Sequence, residues 1–191
     1  MKTRTRLVDT AADMLCRKGL NATSIRELAK EAKAPLGSTY HYFPGGKPQV
    51  VAEAVEYAGE KVSDQLESAL IAGPRKGIEQ FIGRWRDIII RSEFRAGCTV
   101  LAASIEEPLS KETEIAADAA KKVYKQWRDL LENSFLENGV PENNARELAT
   151  TVVAATEGAV VMCRASRSIT PLDEVAGMLY SLLDVYLLPA Q

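Results

Sequence analysis

The amino-acid sequence predicts an all-α protein with about nine helices. Ala, Leu, Glu, Lys and Arg, which favour helices, are abundant, whereas aromatic residues make up only 6% of the 191 residues. Apolar residues recur every three or four positions in one segment after another, and no long alternating run of Val, Ile and Thr indicates a strand. The apolar content of 46% is enough to build a buried core, and the length favours one or two domains.

The first predicted helix covers residues 2–18, where one apolar stripe repeats at helical spacing. The members of this stripe are Leu7, Val8, Ala11, Ala12 and Leu15. Gly19 is expected to end the helix, because glycine adopts the left-handed backbone conformation of a helix terminus at little cost.

Two short helices are predicted next. Ser24 and Glu27 have the spacing of a capping box, which indicates that a second helix begins there and ends near Ala32. Pro35 disfavours helical geometry at the residue before it and suits the first turn of a third helix, which we expect to end near Phe43.

The remaining predicted helices are mostly longer. A fourth helix is expected from Lys47 to about Ala72, where Gly73 and Pro74 end it. The connections between the later helices have ordinary lengths. Five more helices are predicted at 76–92, 99–106, 110–137, 141–167 and 170–187.

The net charge of −2 hides an uneven distribution of charge along the chain. Residues 1–50 carry nine basic and four acidic side chains, whereas the remaining residues carry 15 basic and 22 acidic ones. The N-terminal part is therefore expected to be attracted to a polyanion and the remainder to be repelled by it. A net charge of this size also arises by chance in short segments. The expected attraction to a polyanion therefore needs support from a sequence motif.

That motif is the pair of short helices, which are joined by a tight turn and preceded by a longer helix, as in a helix-turn-helix. In this geometry the second short helix enters the major groove of DNA. Its sequence here is LGSTYHYF, residues 36–43, and its small and hydrogen-bonding side chains allow close approach to bases and phosphates. We therefore expect residues 1–47 to be a DNA-binding domain and residues 48–191 to form a second, C-terminal domain.

The segment from Thr23 to Lys47, TSIRELAKEAKAPLGSTYHYFPGGK, resembles the DNA-binding signature of TetR-type transcriptional repressors. The shared pattern is a Thr/Ser cap, an apolar residue before Leu-Ala, a small pair before a tyrosine, an aromatic pair ending in Phe, and a lysine that opens the fourth helix. The PGGK junction and the later sequence GCTVLAAS resemble a multidrug-regulator-like branch of that family. The residues that match the signature are Thr23, Ser24, Ile25, Leu28, Ala29, Gly37, Ser38, Tyr40, Phe43 and Lys47.

Three residues depart from the family pattern. Lys33 stands where glycine is usual, because that turn favours a left-handed backbone. Pro35 replaces a common Ser/Thr cap, and Leu36 occupies a position where a polar, base-contacting side chain is frequent. The base preference of relatives therefore does not carry over to this chain.

The resemblance implies DNA contacts at nine positions, some to bases or the groove and some to phosphates. Arg4 and Arg6, on an N-terminal arm that is expected to be flexible, are further candidates. Two alternatives stay open, because the tyrosines can instead pack in the core and Arg26 can lie on a solvated helix face. The residues expected to face bases or the groove are Ser24, Arg26, Leu36, Gly37, Ser38 and His41. The residues expected to contact phosphates are Tyr40, Tyr42 and Lys47.

The last two predicted helices are expected to pair with a second copy of the chain in a four-helix interface. An ordinary intramolecular core is the alternative for the same residues. The predicted interface residues are Val152, Thr156, Ala159, Val160, Cys163, Leu179, Leu183 and Tyr186.

The resemblance implies that residues 48–191 form an effector-binding and dimerisation domain. Bulky residues from several of its helices are candidates for an apolar pocket, which the resemblance implies holds a small, partly apolar effector. Each of them can instead be plain core. The candidates are Phe81, Trp85, Tyr124, Trp127 and Met162.

The sequence argues against an enzyme. It contains no glycine-rich phosphate loop, and His41 is its single histidine, which excludes a histidine-dependent triad and a multi-histidine metal site, so we expect no catalytic residues, metal or cofactor. Three widely spaced cysteines fit a reducing compartment. No segment has the pattern of a signal peptide or a membrane span, and we expect a cytoplasmic protein without a membrane partner.

Taken with the resemblance, these features predict a dimeric, ligand-responsive transcriptional repressor that binds a palindromic operator and is released by a small-molecule effector. An activator or an architectural DNA-binding protein without an effector is the first alternative. A helical interaction module that uses only the last two helices is another.

Overall fold

A computed structural model describes residues 3–107 and 110–187 of the chain. Within these ranges the chain forms nine α-helices and no strand, which confirms the predicted all-α fold. Each predicted helix is present, with ends within about two residues of the expected ones. The helices are α1 (Thr3–Lys18), α2 (Ile25–Glu31), α3 (Leu36–Tyr42), α4 (Gly46–Leu70), α5 (Pro74–Arg91), α6 (Thr99–Ser104), α7 (Lys111–Glu137), α8 (Glu142–Ser166) and α9 (Thr170–Leu187).

The described residues fall into two compact units. The first contains residues up to 61 together with 98–123, and the second contains 62–97 together with 124–187. Helices α4 and α7 each begin in the first unit and end in the second. The first unit thus includes α6 and the beginning of α7 in addition to the predicted helix-turn-helix.

In the first unit, α1 packs against α2, α3 and α6. All five residues of its predicted apolar stripe are buried, and Met14 is buried beside them. The expectation of a flexible N-terminal arm is wrong for Arg4, which lies in the first turn of α1. Its guanidinium group lies 2.6 Å from a carboxylate oxygen of Glu53 and 5.4 Å from the ring centre of Phe43, so it joins α1 to residues that follow α3.

The turns between the first helices have the predicted geometry. Gly19 has a φ of 78°, and its N–H donates to the carbonyl of Leu15 at the end of α1. Lys33 has a φ of 49°, and the N–H of Ala34 closes the turn on the carbonyl of Ala29 at 2.9 Å. This pattern is a Schellman motif, in which the residue in the left-handed conformation is usually glycine. A lysine at this position adds strain to the turn.

Within the first unit, α4 and the beginning of α7 approach each other closely at Gly59. A Cβ atom at this position would lie 2.4 Å from a methyl carbon of Val123, which is too short for any side chain. Glycine is therefore needed at position 59 for this packing, and the contact attaches the beginning of α7 to the helix that follows the DNA-binding motif.

In the second unit, α5, α8 and α9 pack on one another. Among the described helices, α8 is the one long and apolar enough to cross a membrane by length and composition, with a mean hydropathy of 1.3 over its most apolar window. Half of that window is buried inside the protein, and α8 packs against both α5 and α9. These are the properties of a core helix.

The predicted dimer-interface positions are corrected by their burial in a single chain. Seven of the eight side chains are less than 3% exposed, and they form the intramolecular core of the second unit around α8 and α9. The eighth, Tyr186, is half-buried and accepts a hydrogen bond from Asn144 at 3.1 Å. The physical reason is that α8 carries apolar or small side chains on two of its faces. The residues predicted for the dimer interface lie on the face that packs against other helices of the same chain. The corrected residues are Val152, Thr156, Ala159, Val160, Cys163, Leu179 and Leu183, whereas an interface role for Tyr186 stays a prediction.

Candidate nucleic-acid interface and effector site

Helix α3 is fixed to the first unit by two residues on its inner side. Thr39 is fully buried, and both its N–H and its hydroxyl donate to the carbonyl of Pro35, at 3.1 and 3.2 Å. Phe43, which follows the last residue of α3, is also fully buried and donates its N–H to the carbonyl of Thr39. Pro35 supplies the extended conformation that precedes the helix, with φ −62° and ψ 136°. The outer side of α3 is left to solvent.

The outer face of α3 carries Leu36, Gly37, Tyr40 and His41, all of which are exposed. Leu36 is 38% exposed and Tyr40 is 54% exposed, which places both among the large apolar side chains on the protein surface. Residues at this spacing lie side by side on one face of a helix. Four of the predicted DNA-contact residues are therefore together on one surface.

The predicted contact residues Ser24, Ser38 and Tyr42 are less exposed. Ser38 and Tyr42 are half-buried, and the Tyr42 ring packs edge-on against His41 at a centroid distance of 5.9 Å. The Ser24 hydroxyl accepts the N–H of Glu27 at 3.2 Å and donates to its carboxylate at 3.1 Å, which caps α2 as the sequence predicts. A contact from Ser24 to DNA therefore stays a prediction.

Three cations lie on elements next to α3: Arg26 and Lys30 on α2, which packs against α3, and Lys33 in the turn between the two helices. All three are exposed, and none of them makes an ion pair with another described residue. By contrast, Lys18 at the end of α1 is paired with Glu31 at 3.2 Å. The positive charge predicted for the N-terminal part is thus available around α3.

Lys47 lies in the first turn of α4, where the sequence predicts a phosphate contact. Its ammonium group is 2.7 Å from a carboxylate oxygen of Glu112, in the first turn of α7, and both side chains are 24% exposed. In this structure the cation is therefore neutralised by a carboxylate. A phosphate contact by Lys47 requires that Glu112 releases it.

Four of the five predicted effector residues form one aromatic cluster in the second unit. Trp127 lies at its centre, with ring centroids of Phe81, Tyr124 and Trp85 at 5.6, 5.7 and 6.2 Å, all in edge-to-face geometry. Phe81, Trp85 and Trp127 are at most 3% exposed, and Tyr124 is half-buried. The buried Nε1 of Trp85 has no hydrogen-bond partner among the described residues.

Met162, the fifth candidate, is not part of this cluster. Its side chain is 58% exposed, because its position on α8 faces away from the buried side of that helix. Its prediction as a pocket residue is corrected accordingly.

The second unit also has an open groove of about 1030 Å³ between the end of α4 and α5. Polar and charged residues such as Gln65, Lys76, Gln80 and Asp87 line it, and none of the predicted effector residues does. Within the described residues, no group of three or more His, Cys, Asp or Glu side chains is placed to hold a metal ion.

Comparison with known proteins agrees with this geometry. Residues 7–54 match the bacterial regulatory proteins of the tetR family, and residues 74–178 match the C-terminal domain of LmrA/YxaF-like transcriptional regulators. An uncharacterized HTH-type transcriptional regulator of Mycobacterium tuberculosis is 37% identical over 94% of this chain and 93% of its own length. The chain belongs to the TetR family.

Other relatives of this TetR-family regulator include the HTH-type transcriptional regulator LmrA of Bacillus subtilis, 29% identical over 94% of this chain and 96% of LmrA. The fold is also that of solved TetR regulators. The structure from Legionella pneumophila has a TM-score of 0.84 at 20% identity and covers 95% of this chain and 97% of its own. The structure from Rhodobacter sphaeroides has a TM-score of 0.82 at 21% identity, with coverages of 93% and 96%. These relatives are transcriptional regulators, not enzymes.

Sequence reasoning missed two features of this TetR-family regulator. The pairing of Lys47 with Glu112 left no local signal, because the two residues lie on helices that are far apart in the chain. The second feature, an exposed apolar stripe formed by Met162 on α8 and by Met178 and Val185 on α9, did leave a signal in the sequence. Small residues are spaced four apart in Ala154 and Gly158, and again in Gly177 and Ser181, which is typical of helices that pack closely.

Proposed function

We propose that this TetR-family regulator is a cytoplasmic, dimeric repressor that binds a palindromic operator and releases it when a small effector binds. The observation that carries the proposal is the outer face of α3, where exposed side chains lie beside cations that no described carboxylate neutralises. A rigid three-helix unit with such a face can enter a major groove while its cations contact the phosphates on either side.

A second copy of the chain is the partner that suits the exposed stripe of α8 and α9. Met162 on α8 and Met178 and Val185 on α9 are 58%, 64% and 73% exposed, and small residues separate them. Small and apolar side chains on two neighbouring helices allow close packing against the same two helices of another protomer. Such a pair would hold two α3 helices at the spacing of adjacent half-sites, about 34–36 Å.

The aromatic cluster supports an effector site in the second unit. Buried edge-to-face rings offer apolar contacts to a flat or apolar molecule. The Trp85 Nε1 donor and the Thr156 hydroxyl are buried without a partner among the described residues, and an unsatisfied buried donor costs about 1–3 kcal/mol. An effector that brings a hydrogen-bond acceptor would remove part of this cost.

The effector would act by favouring a conformation in which the two recognition helices no longer match the operator spacing. Helices α4 and α7 are continuous segments that belong to both units, and they are suited to carry such a change. A ligand that prefers the released conformation by about 3 kcal/mol lowers operator affinity more than a hundredfold.

The test is to select bound DNA from a random pool with the full-length protein. A palindromic consensus supports the proposed operator recognition. Salt-dependent binding to all sequences alike would instead favour an architectural protein, and no binding at low salt would contradict the proposal.

The Gly37→Asp variant tests whether the outer face of α3 contacts the operator. A Cβ at position 37 would have nothing within 4 Å, so the substitution is tolerated by the fold while it places a carboxylate toward DNA. Gly83 on α5 has the same free space, and Gly83→Asp is the control for the added charge. We expect Gly37→Asp to abolish operator binding and Gly83→Asp to leave it within about twofold.

A further inference from the structure

The outer face of α3 has an unusual chemistry for base recognition. The helix, LGSTYHY, contains no Arg, Lys, Asn or Gln, the side chains that form paired hydrogen bonds with guanine or adenine. It exposes instead a leucine side chain, that of Leu36, in its first turn. Leu36 is one of the large apolar side chains that the described chain leaves exposed.

The major groove contains one apolar group that such a side chain can contact, the C5-methyl of thymine. The other groups on the base edges there are hydrogen-bond donors and acceptors, which an aliphatic side chain cannot satisfy. Gly37 follows Leu36 on the exposed face, and the absence of a Cβ there lets the helix backbone approach the bases. The exposed cations Arg26, Lys30 and Lys33 indicate that the partner of this surface carries phosphates.

We propose that Leu36 recognises the C5-methyl group of a thymine in each operator half-site, and that Leu36 is a determinant of operator specificity. The proposal rests on the proposed operator binding. It accounts for a side chain that departs from the polar residue frequent at this position in the family.

The experiment uses the selected operator with each thymine replaced, one base pair at a time, by uracil. Uracil keeps the hydrogen-bonding edge of thymine and lacks only the methyl group. We expect the wild-type protein to lose about fourfold in affinity at one thymine of each half-site, the effect of burying one methyl-sized group, and about sixteenfold when both are replaced.

Two leucine variants assign this effect to one residue. Leu36→Ala is expected to bind thymine and uracil operators equally at that position. Leu136 on α7 is 39% exposed, almost the same as Leu36, and it lies outside the first unit. Leu136→Ala is therefore the matched control and should keep the full preference for thymine. Because both leucines are exposed, the melting temperature of each variant should stay close to that of the wild type.

The outcomes separate the two proposals. If the wild-type protein selects no sequence, the proposed operator recognition is wrong. If it selects an operator but no single thymine-to-uracil change weakens binding, the proposal for Leu36 is wrong while operator recognition stands. The proposal is also overturned if Leu36→Ala retains the full wild-type sensitivity to uracil.

Discussion

The ammonium group of Lys47 and the carboxylate of Glu112 lie 2.7 Å apart, although they come from the beginnings of two different helices. Lys47 opens the helix that follows the recognition helix, and Glu112 opens α7, which continues into the aromatic cluster residues Tyr124 and Trp127. The ion pair engages the same ammonium group that the family resemblance assigns to a phosphate contact. Under the proposed operator binding, a DNA phosphate and Glu112 would therefore compete for the charge of Lys47.

Glu112→Gln should strengthen operator binding by about two- to fivefold, because a partly exposed ion pair contributes at most about 1 kcal/mol. The measurement is a titration of labelled operator at fixed ionic strength. Glu56→Gln is the control, because Glu56 lies in the same unit but pairs with Lys122 at 3.7 Å. The competition is contradicted if both variants behave alike, or if Glu112→Gln keeps its full gain in a Lys47→Met background.

Lys33→Gly should raise the melting temperature of the protein by about 2–4 °C. Lys33 has a φ of 49°, and relief of a left-handed conformation by glycine contributes up to about 1 kcal/mol in a chain of this size. Lys33→Ala removes the same charge but keeps the Cβ, so it should give no rise. Calorimetry of the three proteins measures the difference, and equal melting temperatures for the Gly and Ala variants would show that the turn is unstrained.

Met178→Glu should convert the proposed dimer to a monomer without unfolding it, since the side chain is 64% exposed and its new charge would be buried between protomers. Sedimentation equilibrium measures the mass, and circular dichroism checks the helix content. Ile71→Glu introduces the same charge at an 87% exposed residue outside the stripe and should leave the mass unchanged. A Met178→Glu protein that remains dimeric would exclude this stripe as the interface.

Tryptophan fluorescence tests the proposed effector site. Trp85 and Trp127 are the two tryptophans of the sequence, and both lie in the aromatic cluster. An effector that enters the cluster should therefore change the tryptophan emission in step with the release of operator. If a compound releases operator and raises the melting temperature but leaves the emission unchanged, its site is elsewhere. Gln80→Ala would then test the groove between α4 and α5.

Thiol reactivity should differ among the three cysteines. Burial raises the pKa of the Cys163 thiol, and its side chain is 0% exposed, so little thiolate forms in the folded protein. Its reaction should stay slow as the pH rises through about 8.5, the usual cysteine value, and accelerate only on unfolding. Cys16, which is half-buried on α1, should react first. Mass spectrometry after brief alkylation at several pH values measures the order, and early labelling of Cys163 would contradict it.

The helix ends could be predicted from the sequence because they depend on residues that are close together in the chain. Gly19, the Ser24 cap and Pro35 each act within one turn of the chain, and the helix ends they predict are present. Lys33 was expected in a left-handed turn from the family pattern, and its φ agrees. For these residues the determining interactions are close in sequence, so the sequence is sufficient.

The faces of α8 and α9 could not be predicted in the same way. Periodicity identifies an apolar stripe, but α8 has a second face with Ala154, Gly158 and Met162 that is also apolar or small. Which face the chain covers depends on α5 and α9, which contribute residues from elsewhere in the sequence. The positions predicted for the dimer therefore belong to the core, and the exposed side chains are those between them.

Thr39 is the one residue of α3 that is buried, whereas Leu36, Gly37, Tyr40 and His41 are exposed. Under the proposed function, stability and base preference therefore depend on different side chains of the same seven-residue helix. A library randomised at Leu36, Gly37, Tyr40 and His41 should consist mainly of folded proteins, from which regulators with new target sequences can be selected. If the proposed effector response holds as well, such variants would serve as sensors that act on separate target sequences within one cell.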